Sequence, residues 1–207
     1  MSKILKEALS NFSDRIEDSI KTKKNILVTT HIDCDGLTSG SIITKALIRA
    51  GAKCTVRTTN EFNHSLIEKM QKETRDLHII TDLGGGFGKE LNEKLGDNWL
   101  ILDHHEIPDD EIDNNKIINA WKFGFDGGSE ICAGGMTYLA AVELQKENKD
   151  LSNIAVISAP GDRQDQGEKK SFTGKMLEIA KTAQSLGLVE IDLDLLLVGR
   201  ETRPLPD

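Results

Sequence analysis

Aromatic residues are scarce in this chain. Six Phe, two Trp and one Tyr among 207 residues are too few for a long platform on which successive bases of a nucleic acid could stack. An excess of positive charge is missing as well: 26 Lys and Arg face 34 Asp and Glu, for a net charge of −8. A broadly basic surface of the kind that coats duplex nucleic acid is thereby excluded, and any contact with a polyanion has to be local. The three cysteines, Cys34, Cys54 and Cys132, are odd in number and lack CxxC spacing. That excludes a disulfide framework and a zinc ribbon, and it reads as a reducing, cytoplasmic setting. No apolar run approaches the ~18 residues of a membrane span, and the N-terminus reads as a charged amphipathic helix rather than a signal peptide. Internal repeats and low-complexity linkers are absent too. The length suits one domain able to bury its own core.

What is present is an alternation of periods. Ile4, Leu5, Ala8, Leu9, Phe12, Ile16 and Ile20 recur at helical spacing over 2–22. Strands are then expected at 25–30, 52–58, 77–81 and 98–102, separated by helices at 36–50, 64–74 and 88–95, with a short further strand at 116–120. Strand–helix alternation of this length predicts an α/β fold with an open, mainly parallel sheet and flanking helices. Beyond 129 the pattern predicts a helical C-terminal part, with helices at 130–147, 151–160 and 172–186 and an alternating, strand-like tail at 188–197.

Chemistry gathers where these strands end. His31-Ile32-Asp33-Cys34-Asp35-Gly36 follows the first strand, Asp82 the third, and Asp103-His104-His105 the fourth, while Asp162 lies farther along in Gly161-Asp162-Arg163-Gln164-Asp165. Loops at the carboxyl ends of parallel strands converge on one crevice, where ligands bind. Carboxylate oxygens mixed with imidazole nitrogens suit a divalent metal such as manganese or magnesium. His31, Asp33 and Asp35 alternate and, in an extended loop, face one way. Adjacent side chains diverge at a strand end, so one of His104 and His105 can bind metal while the other faces substrate, with Asp103 orienting a ring. Each segment alone is also what a solvated polar turn or a helix cap would contain; their shared position after a strand is what argues for a site. Asp33, Asp35, Asp82 and Asp162 carry four negative charges, which two divalent ions would balance. Such a pair is the usual clamp for attack on a phosphate. Gly84-Gly85-Gly86 would let a phosphate approach the backbone. Arg163, Lys169, Lys170 and Lys175 are candidate phosphate contacts, although solvated loop cations would look the same. The Gly127-Gly128 and Gly134-Gly135 pairs read as a loop bend and close helix–sheet packing, Cys34 as a spacer, and His64 and His78 as structural.

HIDCDG, the Asp after IIT, LDHH and GDRQD resemble, in order and spacing, the four motifs of the DHH phosphoesterase superfamily, over residues 25–175. The first motif, followed by Leu37-Thr38-Ser39, is similar to that of archaeal RecJ-like single-strand exonucleases. The resemblance implies that Asp33, Asp35, Asp82, His104 and Asp162 are metal ligands, with Asp82 bridging two ions, manganese before magnesium. It further implies His31 as a ligand and His105, oriented by Asp103, as the catalytic contact to the scissile phosphate. Gly84, Gly85, Arg163 and Lys170 would be substrate contacts. Two departures stand out. The first-motif histidine usually lies four residues before the first Asp, where Thr29 stands here, and the Gly-rich C-terminal substrate-binding domain of the family is not evident within 207 residues. Three readings follow. One is hydrolysis of single-stranded DNA or RNA, with replication or repair proteins or a separate C-terminal domain as partners. Another is hydrolysis of a small substrate: a cyclic dinucleotide, a very short oligonucleotide or pyrophosphate. The third is a non-catalytic replication scaffold.

Overall fold

The computed structural model describes residues 2–111 and 115–193. Helix α1 (Lys3–Lys21) begins at the N-cap Ser2 and buries Leu5, Leu9, Phe12 and Ile16, the stripe its spacing calls for. Strand β1 (Asn25–His31), helix α2 (Cys34–Arg49), strand β2 (Lys53–Thr59), helix α3 (His64–Lys72), strand β3 (Leu77–Thr81), helix α4 (Gly88–Leu95), strand β4 (Trp99–Asp103) and strand β5 (Ile117–Asn119) complete the α/β portion. All strand pairings are parallel, in the order β2-β1-β3-β4-β5.

Burial follows that order. β3 and β4 are buried along their whole length, β1 at five consecutive positions, whereas β2, at the edge, is nowhere fully covered. Apolar runs on the central strands are what a sheet covered on both faces requires. One face packs against α1, α2 and the C-terminal helices in a core containing Phe12, Ile42, Leu47, Leu100 and Met136. The other packs against α3 and α4 around Ile67, Met70, Leu91 and Trp99.

Three helices follow: α5 (Ala133–Leu144), α6 (Ser152–Gly161) and α7 (Gly174–Ser185). The single helix expected over 130–147 is shorter. Gln145 turns to an extended conformation, and the Asn148 side chain donates to the Ala141 carbonyl (2.8 Å), stopping the helix before a 3-10 turn at Lys146–Leu151. The strand-like tail is also corrected over 188–193, which pairs with no strand: Gly187 at φ 68° closes α7, and Leu193 is 81% exposed. Alternation without a sheet edge to join does not make a strand. The rest of that tail, 194–197, lies outside the described residues. No described helix is long and apolar enough to cross a membrane.

Chain order reverses between β1 and β3: β1 leads through α2 to β2 on one side, while β3 and β4 lie on the other. That reversal opens a crevice beyond the carboxyl ends of β1 and β3. His31 ends β1 and Asp82 follows β3, so both border it.

Candidate metal centre

A chain of buried hydroxyls fixes the floor of the crevice. Thr81 Oγ1 donates to Thr30 Oγ1 (2.8 Å), and Ser39 Oγ lies 3.2 Å from Thr81 Oγ1, tying the ends of β1 and β3 to α2. Above it, Asp33 caps α2 by accepting from the Gly36 amide (2.8 Å). Its other oxygen lies 2.7 Å from His31 Nδ1. Burial works against the Asp33 carboxylate, but the Gly36 amide and His31 outweigh it and hold the group below its ordinary range. Gly36 is required here, because a Cβ would run into His31.

Asp35 is fully buried. It accepts from the amides of Ala133 and Gly134 (2.7 Å each), the first turn of α5, and from Ser158 Oγ of α6. Burial raises its pKa, with nearby Asp162 adding to the rise and His104 opposing it. The helix N-terminus supplies donors and positive dipole to a carboxylate that would otherwise be costly to bury. Gly134 has no room for a Cβ against Ser158 of α6, nor Gly135 against Met176 of α7 and Ile131, so the close packing expected of these glycines is against helices rather than the sheet.

Asp82 occupies the left-handed region at φ 61°, a conformation Asp tolerates better than most residues. Its amide donates to the Leu102 carbonyl (2.9 Å), so the backbone is held while the side chain enters the crevice. Only 1% of the residue is exposed, yet neither carboxylate oxygen has a hydrogen-bond partner. Oδ1 lies 3.4 Å from His104 Nε2 and Oδ2 lies 3.6 Å from His31 Nδ1. Burial, reinforced by Asp35 and Asp103 and opposed by His104, pushes the Asp82 carboxyl up to about 8.

β4 ends at Asp103, and the two histidines beyond it do not point apart as expected: their rings lie 4.4 Å apart, tilted at 51°, and differ in burial instead. His104 is buried and His105 is exposed. His104 Nδ1 donates to the Gly127 carbonyl (2.7 Å), turning Nε2 toward the carboxylates. Nε2 lies 3.0 Å from Asp162 Oδ2, 3.4 Å from Asp82 Oδ1 and 3.5 Å from Asp35 Oδ2, but none of these approaches is aligned as a hydrogen bond. Burial would lower the pKa of this ring, but Asp162, Asp82 and Asp35 together push it up to about 11. His105 Nδ1 donates to Asp103 Oδ1 (2.8 Å), which raises the pKa of that ring. Asp103 also accepts from the amides of Gly85, His104 and His105. Burial alone would raise its own pKa; the His105 bond and the charges of both histidines outweigh that and hold it low. Accepting from these four donors, Asp103 positions His105.

Among the described residues three donor groups result: His31 with Asp33 and Asp82; Asp35 with His104 and Asp162; and Asp82 with Asp103, His104 and His105. Asp82 presents one oxygen toward His31 and the other toward His104, so it lies between the first two. Buried carboxylate oxygens and an imidazole nitrogen, close together and unaligned for hydrogen bonding, fit hard divalent cations better than they fit one another.

Among the expected substrate contacts, Gly84 (φ 85°) and Gly85 line a cavity beside His105. The Gly85 amide already donates to Asp103 (3.2 Å) and is not free for a phosphate. Arg163 is exposed next to Asp162, and exposed Lys170 donates to Gln166 within its own loop (3.1 Å). His64 pairs with Glu90 at the surface, His78 is buried, and Cys34 Sγ lies 3.6 Å from the Ile157 carbonyl; none belongs to a donor group. Sequence reading missed the supports of the histidines. The Gly127 carbonyl also accepts from Gln164 Nε2 (2.7 Å). Trp121 Nε1 donates to the His104 carbonyl and Asn119 Nδ2 to the His105 carbonyl (2.9 Å each). A Cβ on Gly127 would collide with the His104 carbonyl, so this glycine does more than bend a loop. No spacing rule links these residues to the histidines they hold.

The family model of the DHH family, N-terminal domain, matches residues 25–161. An uncharacterized protein of Methanocaldococcus jannaschii is 39% identical over 145 residues, 67% of this chain and 33% of that protein. Among solved structures, exonuclease RecJ bound to manganese superimposes with a TM-score of 0.71 at 18% identity, over 86% of this chain and 47% of RecJ. CDC45 from Entamoeba histolytica gives 0.64 at 19% identity, over 95% of this chain and 41% of CDC45. The chain thus spans about a third of the curated relative and about half or less of these structures. With the matched segment running from the start of β1 to the end of α6, and so taking in every donor except Asp162 just beyond it, the chain belongs to the DHH family.

Proposed function

We propose that this chain is a metal-dependent phosphodiesterase acting on single-stranded nucleic acid, in the manner of a RecJ-like exonuclease. The observation that carries the reading is Asp82, a buried carboxylate with neither oxygen hydrogen-bonded, lying between two donor groups. His31, Asp33 and Asp82 would hold one divalent cation, and Asp82, Asp35, His104 and Asp162 a second; manganese suits the mixed imidazole and carboxylate donors. Two such ions would supply the positive charge that activates water at neutral pH and offsets the charge building on a phosphate under attack. The chain's own residues do the rest. Asp35 is immobilised by α5 and Ser158, His104 is aimed by Gly127, and Asp103 fixes the ring of His105, whose raised pKa lets it donate to a phosphate oxygen. RecJ offers a precedent for exonuclease activity and manganese on this fold. A pure scaffold would gain nothing from burying the Asp82 carboxylate without a hydrogen-bond partner.

A second reading keeps the site and shortens the substrate to a dinucleotide or very short oligonucleotide. It is favoured by the net charge of −8, which gives little hold on a long polyanion. Digestion of an end-labelled 20-nucleotide single strand, a dinucleotide and pyrophosphate in manganese, magnesium or EDTA tests both. Manganese-dependent shortening of the single strand is expected; cleavage of the dinucleotide alone selects the second reading. Cleavage only of pyrophosphate, or of nothing, overturns both.

A further inference from the structure

Beside His105 lies a cavity of about 410 Å³, within the range of small-molecule clefts. Its walls are the loop 60–63 after β2, the glycine turn after β3, and the segment after His105. Two phenylalanines of a chain poor in aromatics meet there: the rings of Phe62 and Phe87 lie 5.4 Å apart at 62°, forming an apolar corner. His64 meets Phe87 edge to face, with ring centroids 5.7 Å apart at 75°.

The loop bearing Phe62 is tied down at both ends. Thr59 Oγ1 donates to the Glu61 carbonyl (2.8 Å), Asn63 caps α3 by accepting from the Leu66 amide (3.1 Å), and Asn63 Nδ2 donates to Glu61 Oε2 (3.2 Å). A wall held in this way loses little freedom when a ligand enters. Glu61 and Glu106 border the cavity, while no lysine or arginine lines it among the described residues. Away from His105 at its edge, a phosphate therefore has no counter-charge here and meets carboxylates. A neutral planar ring with exocyclic amino groups has aromatic surface to lie on and acceptors at its rim.

From this we infer that the cavity is a nucleobase subsite, receiving the base attached to the phosphodiester that His105 contacts, with Phe62 as the stacking surface. The inference rests on the phosphodiesterase reading for the placement of the phosphate, and it adds that the substrate is recognised through one flanking base. Adenine, guanine and cytosine, which carry an amino group, are preferred over uracil and thymine. A substrate without a base, such as pyrophosphate, leaves the cavity unused.

The test compares kcat/KM in manganese for a dinucleotide and for its two abasic versions, each lacking one base, with the wild-type chain, Phe62→Ala and Phe62→Tyr. Stacking of a single base predicts that removing one of the two bases costs the wild type about 5- to 150-fold, and removing the other much less. Phe62→Ala is expected to bring the larger ratio close to one, and Phe62→Tyr to restore it, which separates stacking from a folding defect. A second arm needs no turnover: calorimetric binding of AMP against ribose 5-phosphate in manganese, with a wild-type preference for AMP that Phe62→Ala removes. If no phosphodiester is cleaved, the phosphodiesterase reading fails and the binding arm alone decides the subsite. Equal binding of AMP and ribose 5-phosphate by the wild type, or an equal loss on intact and abasic dinucleotides in Phe62→Ala, overturns the inference.

Discussion

Replacing Asp82 by Asn should have opposite effects on stability with and without divalent ions. The carboxyl is pushed from its ordinary 3.8 up to about 8 by burial and neighbouring carboxylates. An acid whose folded pKa is raised contributes stability fully at low pH and loses it as pH climbs from its unfolded value through its folded one, here between about 4 and about 8. At about 1.4 kcal/mol per pH unit, the cost at pH 7 reaches about 4 kcal/mol as an upper bound. His104, held protonated by the same carboxylates, returns part of it. A net gain of about 2 kcal/mol on removing the charge corresponds to a rise of roughly 4–8 °C in Tm for a domain of this size. Asn is nearly isosteric and tolerates the left-handed conformation, so the backbone exacts little. With manganese the order should invert: at a hundred times Kd the wild type gains about 2.7 kcal/mol by mass action, while the variant, lacking the central donor, gains little. Thermal melts at pH 7 in EDTA and in manganese would show the crossing. A variant that is less stable in EDTA and responds to manganese as the wild type does would refute both the electrostatic reasoning and the central role of Asp82.

The two adjacent histidines should separate by readout. His104→Ala should abolish both turnover and most of the manganese-induced rise in Tm, whereas His105→Ala should slow turnover by roughly 10²–10⁴-fold, the usual worth of positioned proton transfer, and leave that rise nearly intact; equal loss of the rise in both variants would contradict the division. Asp103→Asn should retain the manganese response while shifting the alkaline limb of the kcat profile to lower pH, because His105 acts protonated and the Asp103 bond is what raises its pKa; an unshifted profile counts against it. His78, only 2% exposed and pushed down to about 4 chiefly by burial, binds a proton in the unfolded chain before it does in the folded one. Stability should therefore fall as pH drops from about 6.5 to 4, by about 3 kcal/mol at most, and urea titrations of His78→Gln should show a shallower decline.

Much of the site could be read along the chain because its donors sit where parallel strands end. Period and length placed the strands at 25–30, 77–81 and 98–102, within a residue of where they lie, and a strand end delivers its next residues to one crevice whatever the rest of the molecule does. His31, Asp33, Asp82 and His104 could thus be named from local sequence, and the edge strand β5 from three apolar residues. Boundaries that depend on a side chain returning from elsewhere could not. Asn148 ended α5, and the absence of a neighbouring edge left 188–193 unpaired. Asp162 was reached by motif rather than by spacing; only the packing of α6 against α2 and α5 brings it within 3.0 Å of His104. The same holds for the division of labour between the histidines. Sequence says that neighbours at a strand end diverge, but the two rings lie 4.4 Å apart, and which of them enters the cluster depends on Gly127, 23 residues away, accepting from one and on Asp103 accepting from the other. Donor identity is written in the chain because it is chemistry. Donor orientation is decided by hydrogen bonds between segments far apart in sequence, and only the folded structure brings those together.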